Sequence, residues 1–239
     1  MIQVEDLQKS FGDHRVIDHA NLVVKDNETL VIIGPSGEGK TVFIKLLNRL
    51  LEPDAGRILY DGKDITRMKK GEFYRFRKRI AFVFQQAALF DFLTIRDNLL
   101  LFLTMHENIP VARQEKMARE ALSYVGLERS VLDKYPSEIS GGMKKRVAIA
   151  RAFIQRPQYI FYDEPTTGLD EINAQKVSEL IETLKHDIHA TSIIVTHDIN
   201  LMNSVADRVA FFYKGKIKQI VKPEEIKEEM LTFLYKGVA

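Results

Sequence analysis

Leu30-Val31-Ile32-Ile33 is an unbroken apolar run, and Ile80–Phe84, Tyr159–Tyr162 and Ser192–Thr196 repeat the pattern later in the chain. Short runs of this kind suit strands covered on both faces of a parallel sheet. Between them the period changes. Val42, Phe43, Leu46, Leu47 and Leu50 recur at helical spacing, as do Val177, Leu180, Ile181 and Leu184. Ala20, Leu22 and Val24 alternate with polar or outward positions before a turn at Asp26-Asn27, so the first segment reads as short strands and turns. Pro53-Asp54-Ala55-Gly56 stops the first helix, and Ile58-Leu59-Tyr60 enters a second turn at Asp61-Gly62.

Residues 87–157 turn mainly helical, with helices expected over Val111–Tyr124 and Gly141–Gln155. Arg208–Tyr213, Lys214-Gly215 and Lys216–Ile220 read as a closing hairpin. Pro223–Lys236 has a charged helical pattern that reads as a solvated tail. The fold expected is therefore α/β: an α/β core with a helical block inserted into it.

Composition narrows the picture in a few respects. The chain has 239 residues and 45% hydrophobic content, which fits one large domain with a true core. A net charge of +2 argues against a strongly basic nucleic-acid binder. With no cysteine there is no disulfide framework and no thiolate metal site. Met1–Asp6 shows no basic-then-apolar leader, and Leu93–Met105, the longest apolar stretch, is broken by Arg96 and Asp97. A cytoplasmic protein is expected, with any membrane work done through a partner. The basic run Arg67, Lys69, Lys70, Arg75, Arg77, Lys78 and Arg79 reads as a solvated helix face, with attraction to anionic headgroups as the sharper alternative.

The candidate chemistry starts at Gly34-Pro35-Ser36-Gly37-Glu38-Gly39-Lys40-Thr41, a complete phosphate-loop pattern lying between an expected strand and helix. Its glycines let backbone N–H groups turn toward a β-phosphate, and the helix N-terminus adds positive dipole. Lys40 would bridge β- and γ-phosphates, and the Thr41 hydroxyl would sit on Mg²⁺. Asp163-Glu164 closes the Tyr159 strand, at the edge where α/β sheets bind ligands. Such a pair is commonly a solvated turn, but the phosphate loop upstream makes Asp163 a carboxylate for Mg²⁺ and Glu164 the group that polarises water. His197, also at a strand end, either contacts the γ-phosphate or caps the next helix. Gln85 is either a metal or water ligand or a boundary residue. The other histidines, His14, His19, His106, His186 and His189, read as surface residues.

Between those two halves lies Ser140-Gly141-Gly142-Met143-Lys144-Lys145-Arg146. With this element in place, almost the whole chain resembles the ATP-binding subunits of ABC transporters. The resemblance implies a P-loop NTPase core with an N-terminal antiparallel β subdomain and an inserted α-helical subdomain. It divides the chain into 1–86 and 158–239 as nucleotide-binding core and 87–157 as the helical part. It implies ATP and Mg²⁺ as cofactors, Phe11 as the aromatic on adenine, and Gln85, Glu164 and His197 as catalytic groups, with Thr41, Gln85 and Asp163 toward the metal. Ser140, Gly141, Gly142 and Asp170 would face the ATP of a second copy in a head-to-tail dimer.

Two departures from the common family pattern sharpen the match, since Ile139 and Met143 flank the Ser-Gly-Gly where leucine and glutamine are usual. Met143, Ala88-Leu89-Phe90-Asp91 and Tyr135-Pro136-Ser137-Glu138 look like the Mla/Mce phospholipid-transport ATPases. That subfamily implies an integral-membrane permease, an MCE-domain lipid-binding protein and a place on the cytoplasmic face of the inner membrane. Ala87–Leu93 would then meet the permease, unless its apolar side chains are simply core. The competing expectations are an importer ATPase for amino acids or another small solute and, more remotely, a non-transport ATPase acting on nucleic acid or the ribosome. No direct nucleic-acid partner is expected.

Overall fold

A computed structural model describes residues 1–230 apart from 107 and 228. Two sheets carry the fold. The first is antiparallel, ordered β2-β1-β4-β5, from β1 (Ile2–Phe11), β2 (His14–Val24), β4 (Ala55–Tyr60) and β5 (Lys63–Asp64). The second has six strands in the order β10-β9-β3-β8-β7-β6. Its members are β3 (Thr29–Ile33), β6 (Ile80–Val83), β7 (Tyr159–Asp163), β8 (Thr191–Val195), β9 (Arg208–Tyr213) and β10 (Lys216–Val221). All its pairings are parallel except the β9–β10 hairpin.

The apolar runs are covered on both sides, as their continuity predicts. Val31 and Ile33 of β3, Ile160 and Tyr162 of β7 and Ile194 of β8 face one core. Leu30, Ile32, Tyr159, Phe161, Ile193 and Val195 face the other. On the second side lie α1 (Lys40–Leu47) and the antiparallel sheet. On the first lie α3 (Ile95–His106), α4 (Val111–Tyr124), α5 (Gly141–Ile154), α6 (Glu171–Ile188) and α7 (Ile199–Val205). The short α2 (Lys70–Phe76) precedes β6. The α/β fold class expected from the sequence is the one observed, with α3, α4 and α5 inserted between β6 and β7.

Several boundaries differ from expectation, each for a local reason. The opening segment forms two long strands of 10 and 11 residues, because β-bulges between Val4 and Ser10 interrupt the alternation that marks a strand in sequence. The first helix ends at Leu47 although its apolar stripe runs to Leu50. The Asn48 amide bonds back to Ile44 O at 2.8 Å and its oxygen accepts Leu50 N–H at 3.2 Å, drawing the chain out of the helix. Pro223–Glu225 is a single 3-10 turn within the expected tail helix, and 231–236 lie outside the described residues.

Among the described residues no helix is long and apolar enough to cross a membrane. His14, His19, His186 and His189 are exposed, but His106 is half-buried between the Tyr74 and Phe102 rings. The basic run stands mostly in solvent, except Arg79, which bonds Asp61 and Gln158 and lies over the Phe76 and Tyr159 rings.

Candidate functional site

The phosphate loop leaves β3 at Ile33, and its shape depends on missing side chains. A Cβ on Gly34 would stand 2.1 Å from Phe212 O of β9. Gly39, at φ +99, opens α1, and a Cβ there would meet Val16 at 2.6 Å. Lys40 is buried, and its ammonium donates to Gly34 O at 2.7 Å and Pro35 O at 2.8 Å, curling back under the loop. Burial pulls its pKa down, against the opposing pull of Glu164, Glu38 and Asp163. Glu38 turns outward and accepts Lys214 N–H at 2.6 Å.

The Thr41 hydroxyl donates to Asp163 Oδ1 at 2.8 Å, across 122 positions of sequence. Asp163 is 3% exposed at the end of β7. Burial raises its pKa, with the Thr41 hydrogen bond acting the other way. Beside this pair opens a cavity of about 480 Å³ that also touches Lys45, Gln85, Gln86, Leu89 and Lys144. Gln85 is exposed, at the start of a loop where Ala87 and Ala88 both adopt positive φ. A hydroxyl, a carboxylate and a side-chain amide form an oxygen-donor set that fits Mg²⁺, which keeps most of its ligands as water and phosphate.

Glu164 follows with φ +48, a left-handed backbone that costs about 1–3 kcal/mol in a non-glycine residue. Its N–H donates to Val195 O at 2.9 Å. Its carboxylate accepts the Thr167 hydroxyl at 3.1 Å and lies 2.9 Å from His197 Nδ1, both through Oε2. His197 does not cap the following helix. Asp198 does, accepting from Asn200 and Leu201 N–H, and that leaves the imidazole free to face Glu164.

Ser140, Gly141 and Gly142 open α5, and the Ser140 hydroxyl accepts Met143 N–H at 3.3 Å. A Cβ on Gly142 would approach Asn173 at 2.9 Å; Asn173 is itself held by Asp170, which caps α6. Met143 packs half-buried against the helical core. Phe11, 48% exposed, carries Lys9 above its ring at 5.5 Å.

Sequence reasoning passed over Lys145, Thr167, Asn98 and Arg151. Lys145 donates to Glu164 O at 3.2 Å. Arg151 donates to Ala88 O at 2.8 Å and Ala87 O at 2.9 Å, so it holds the loop after Gln85. Asn98 is fully buried and bonds the Phe90, Leu93 and Thr94 carbonyls, a role its helical position did not announce. One signal for Lys145 was present: with Gly142, Ala148 and Ile149 it falls on the face of α5 that must be covered.

The sequence profile of the ABC transporter family matches residues 17–167, more than half of the chain. The chain belongs to the ABC transporter family. Among ABC relatives it is similar to the intermembrane phospholipid transport ATP-binding protein MlaF of Haemophilus influenzae. The two are 40% identical over 207 residues, covering 87% of this chain and 78% of that protein. The L-cystine import ATP-binding protein TcyN of Bacillus subtilis is 39% identical over 95% of this chain and 87% of its own length. A probable ribonucleotide transport ATP-binding protein of Mycobacterium tuberculosis, mkl, is 39% identical over 89% of this chain; the match spans 59% of that longer relative. Among solved ABC structures, the dimeric cassette MJ0796 superposes with a TM-score of 0.87 at 30% identity, covering 95% of this chain and all of that one. Its post-hydrolysis dimer, bound to ADP and Pi, gives 0.86. The family resemblance expected from the motifs therefore stands, and an Mla ATPase is among the similar proteins.

Proposed function

We propose that this chain is the ATP-hydrolysing subunit of a membrane transporter, working as a head-to-tail pair. The observation that carries the reading is the meeting of Glu164 Oε2 with His197 and Thr167, next to the Thr41–Asp163 pair, at the carboxyl ends of adjacent parallel strands. Residues 34–41 would cradle the phosphates of ATP and Phe11 would stack on its adenine. Thr41, Asp163 and Gln85 would hold Mg²⁺, which when bound offsets charge on the β- and γ-phosphates. The Glu164 carboxylate would accept a hydrogen bond from the attacking water, while His197 orients the carboxylate. Residues 1–86 and 158–239 form the nucleotide-binding core, and 87–157 presents Ser140, Gly141 and Gly142, with Asp170 nearby, to the partner copy's ATP.

The cargo we assign is phospholipid, moved between inner and outer membranes together with a permease and an MCE-domain protein. Similarity to MlaF supports this, as do Met143 and the Ala88–Asp91 segment. The groove lined by Tyr74, Arg77, Phe90, Phe102 and Met105 offers an apolar seat for the permease and would dock the chain on the cytoplasmic face of the inner membrane. Similarity to TcyN favours the second reading, an amino-acid importer. Gentle purification of the complex with mass spectrometry of its proteins and lipids separates the two. Phospholipid with an MCE-domain protein supports the first reading, and a periplasmic solute-binding protein the second.

A further inference from the structure

Lys145 is a buried ammonium that the proposed chemistry leaves without a task. It is 7% exposed on the inner face of α5, five residues beyond Ser140, and makes no ion pair among the described residues. Long charged side chains are rarely buried this deeply unless they have a partner. The partner here is a main-chain oxygen. Lys145 Nζ donates to Glu164 O at 3.2 Å, and the carboxylates of Glu164 and then Asp163 supply the surrounding negative charge.

That carbonyl sits at an unusual place. Glu164 combines φ +48 with a following Pro165, and the proline ring further restricts the backbone ahead of it. Such a conformation persists only when its neighbours over-determine it. Three contacts do so: the Glu164 N–H is fixed on Val195 O, and the carbonyl receives both Thr167 N–H and Lys145 Nζ. The first comes from the neighbouring strand β8 and the second from the turn itself. Of the three, Lys145 alone is a side chain, reaching in from α5.

We infer that Lys145 is a positioning residue for Glu164, holding the left-handed turn that aims its carboxylate from the helix that begins at Ser140. The inference rests on the proposed role of Glu164 in hydrolysis. It adds that the element facing one nucleotide also braces the carboxylate acting on the other. Position of α5 and geometry at Glu164 are then linked through one hydrogen bond.

The test compares Lys145→Met, which keeps the length without the donor, and Lys145→Arg with the wild-type full chain. ATP turnover, equilibrium binding of a fluorescent ATP analogue and hydrogen exchange of the segment containing Glu164 without nucleotide are measured for each. Displacing a reacting group by about 1 Å can cost on the order of a hundredfold, so Lys145→Met is expected to lower kcat by about tenfold or more while KM and analogue affinity stay within about twofold. The Glu164 amide should exchange faster in Lys145→Met, and Lys145→Arg should recover most of both losses. A Lys145→Met chain with kcat near wild type, affinity falling in step with kcat, or unaltered exchange at Glu164 overturns the inference, as does an Arg variant no better than Met. If the wild type does not hydrolyse ATP, or Glu164→Gln hydrolyses it as fast, the proposed function itself fails, whatever the Lys145 variants do.

Discussion

Thr41 in the first turn of α1 donates its hydroxyl to Asp163 Oδ1 at the end of β7, at 2.8 Å. The bond joins the glycine loop to the end of β7, and each partner orients the other. Thr41→Ala is expected to raise the Mg²⁺ concentration for half-maximal turnover by about tenfold or more, as loss of ligand-orienting bonds does elsewhere. A Mg²⁺ titration of ATP hydrolysis reads this directly, and chelation with EDTA should stop turnover in both chains.

Glu164→Gln removes the proposed base and keeps the shape. Turnover should fall by about a hundredfold or more, the usual scale for loss of general-base catalysis. ATP affinity should persist, so an ATP-bound dimer accumulates. Size-exclusion chromatography with light scattering distinguishes that dimer from a monomer, and brisk hydrolysis would count against Glu164 as the base.

If two copies share each nucleotide, damage at the two halves of the site should complement. Ser140→Arg and Lys40→Ala are each expected to abolish hydrolysis. Mixed in equal amounts, they form pairs in which one site holds an intact phosphate loop and an intact Ser140. Partial activity in the mixture is the expected result; an inactive mixture speaks against the shared site.

Arg151 secures the loop behind Gln85 through the Ala87 and Ala88 carbonyls, both in left-handed residues. Burial lowers its pKa, yet guanidinium stays charged across the working range. Arg151→Met leaves two carbonyls without their donor and should lower stability by about 1–3 kcal/mol. Urea unfolding measures that difference, and the midpoint should shift with little change in slope.

Asp61 carries a pH signature. Burial pushes its carboxyl up, but hydrogen bonds from the Met1 amine, Tyr159 and Arg79 prevail and hold it at about 2, below the ordinary 3.8. A carboxyl lowered on folding stabilises the native state above its unfolded pKa, and the effect disappears as pH falls through the folded value. Asp61→Asn should therefore lower Tm at pH 7, with the gap to wild type closing between about pH 4 and pH 2. A gap that is constant with pH would mean the charge is not what matters.

Much of this was legible in the sequence because the decisive signals are local. The apolar runs gave β3, β6, β7 and β8, and the loop from Gly34 to Thr41 sits where its flanking patterns put it. What escaped was non-local. The bulges of β1 hide a ten-residue strand, since each shift of register resets the alternation. Nothing in the sequence around Lys145 and Arg151 states that Glu164, Ala87 and Ala88 will come to rest against them. His197 was undecided by position alone, and the cap supplied by Asp198 is what frees it.

The hairpin β9–β10, near the end of the described residues, is also a wall of the phosphate loop. Phe212 O leaves room at Gly34 for nothing larger than hydrogen, its ring packs 5.6 Å from Phe43 of α1, and Lys214 N–H ties down Glu38. A chain emerging from the ribosome therefore makes its glycine loop early and gains the β9 wall only once residues near 215 have been made, so a product cut short before β9 is expected to hold the loop less firmly.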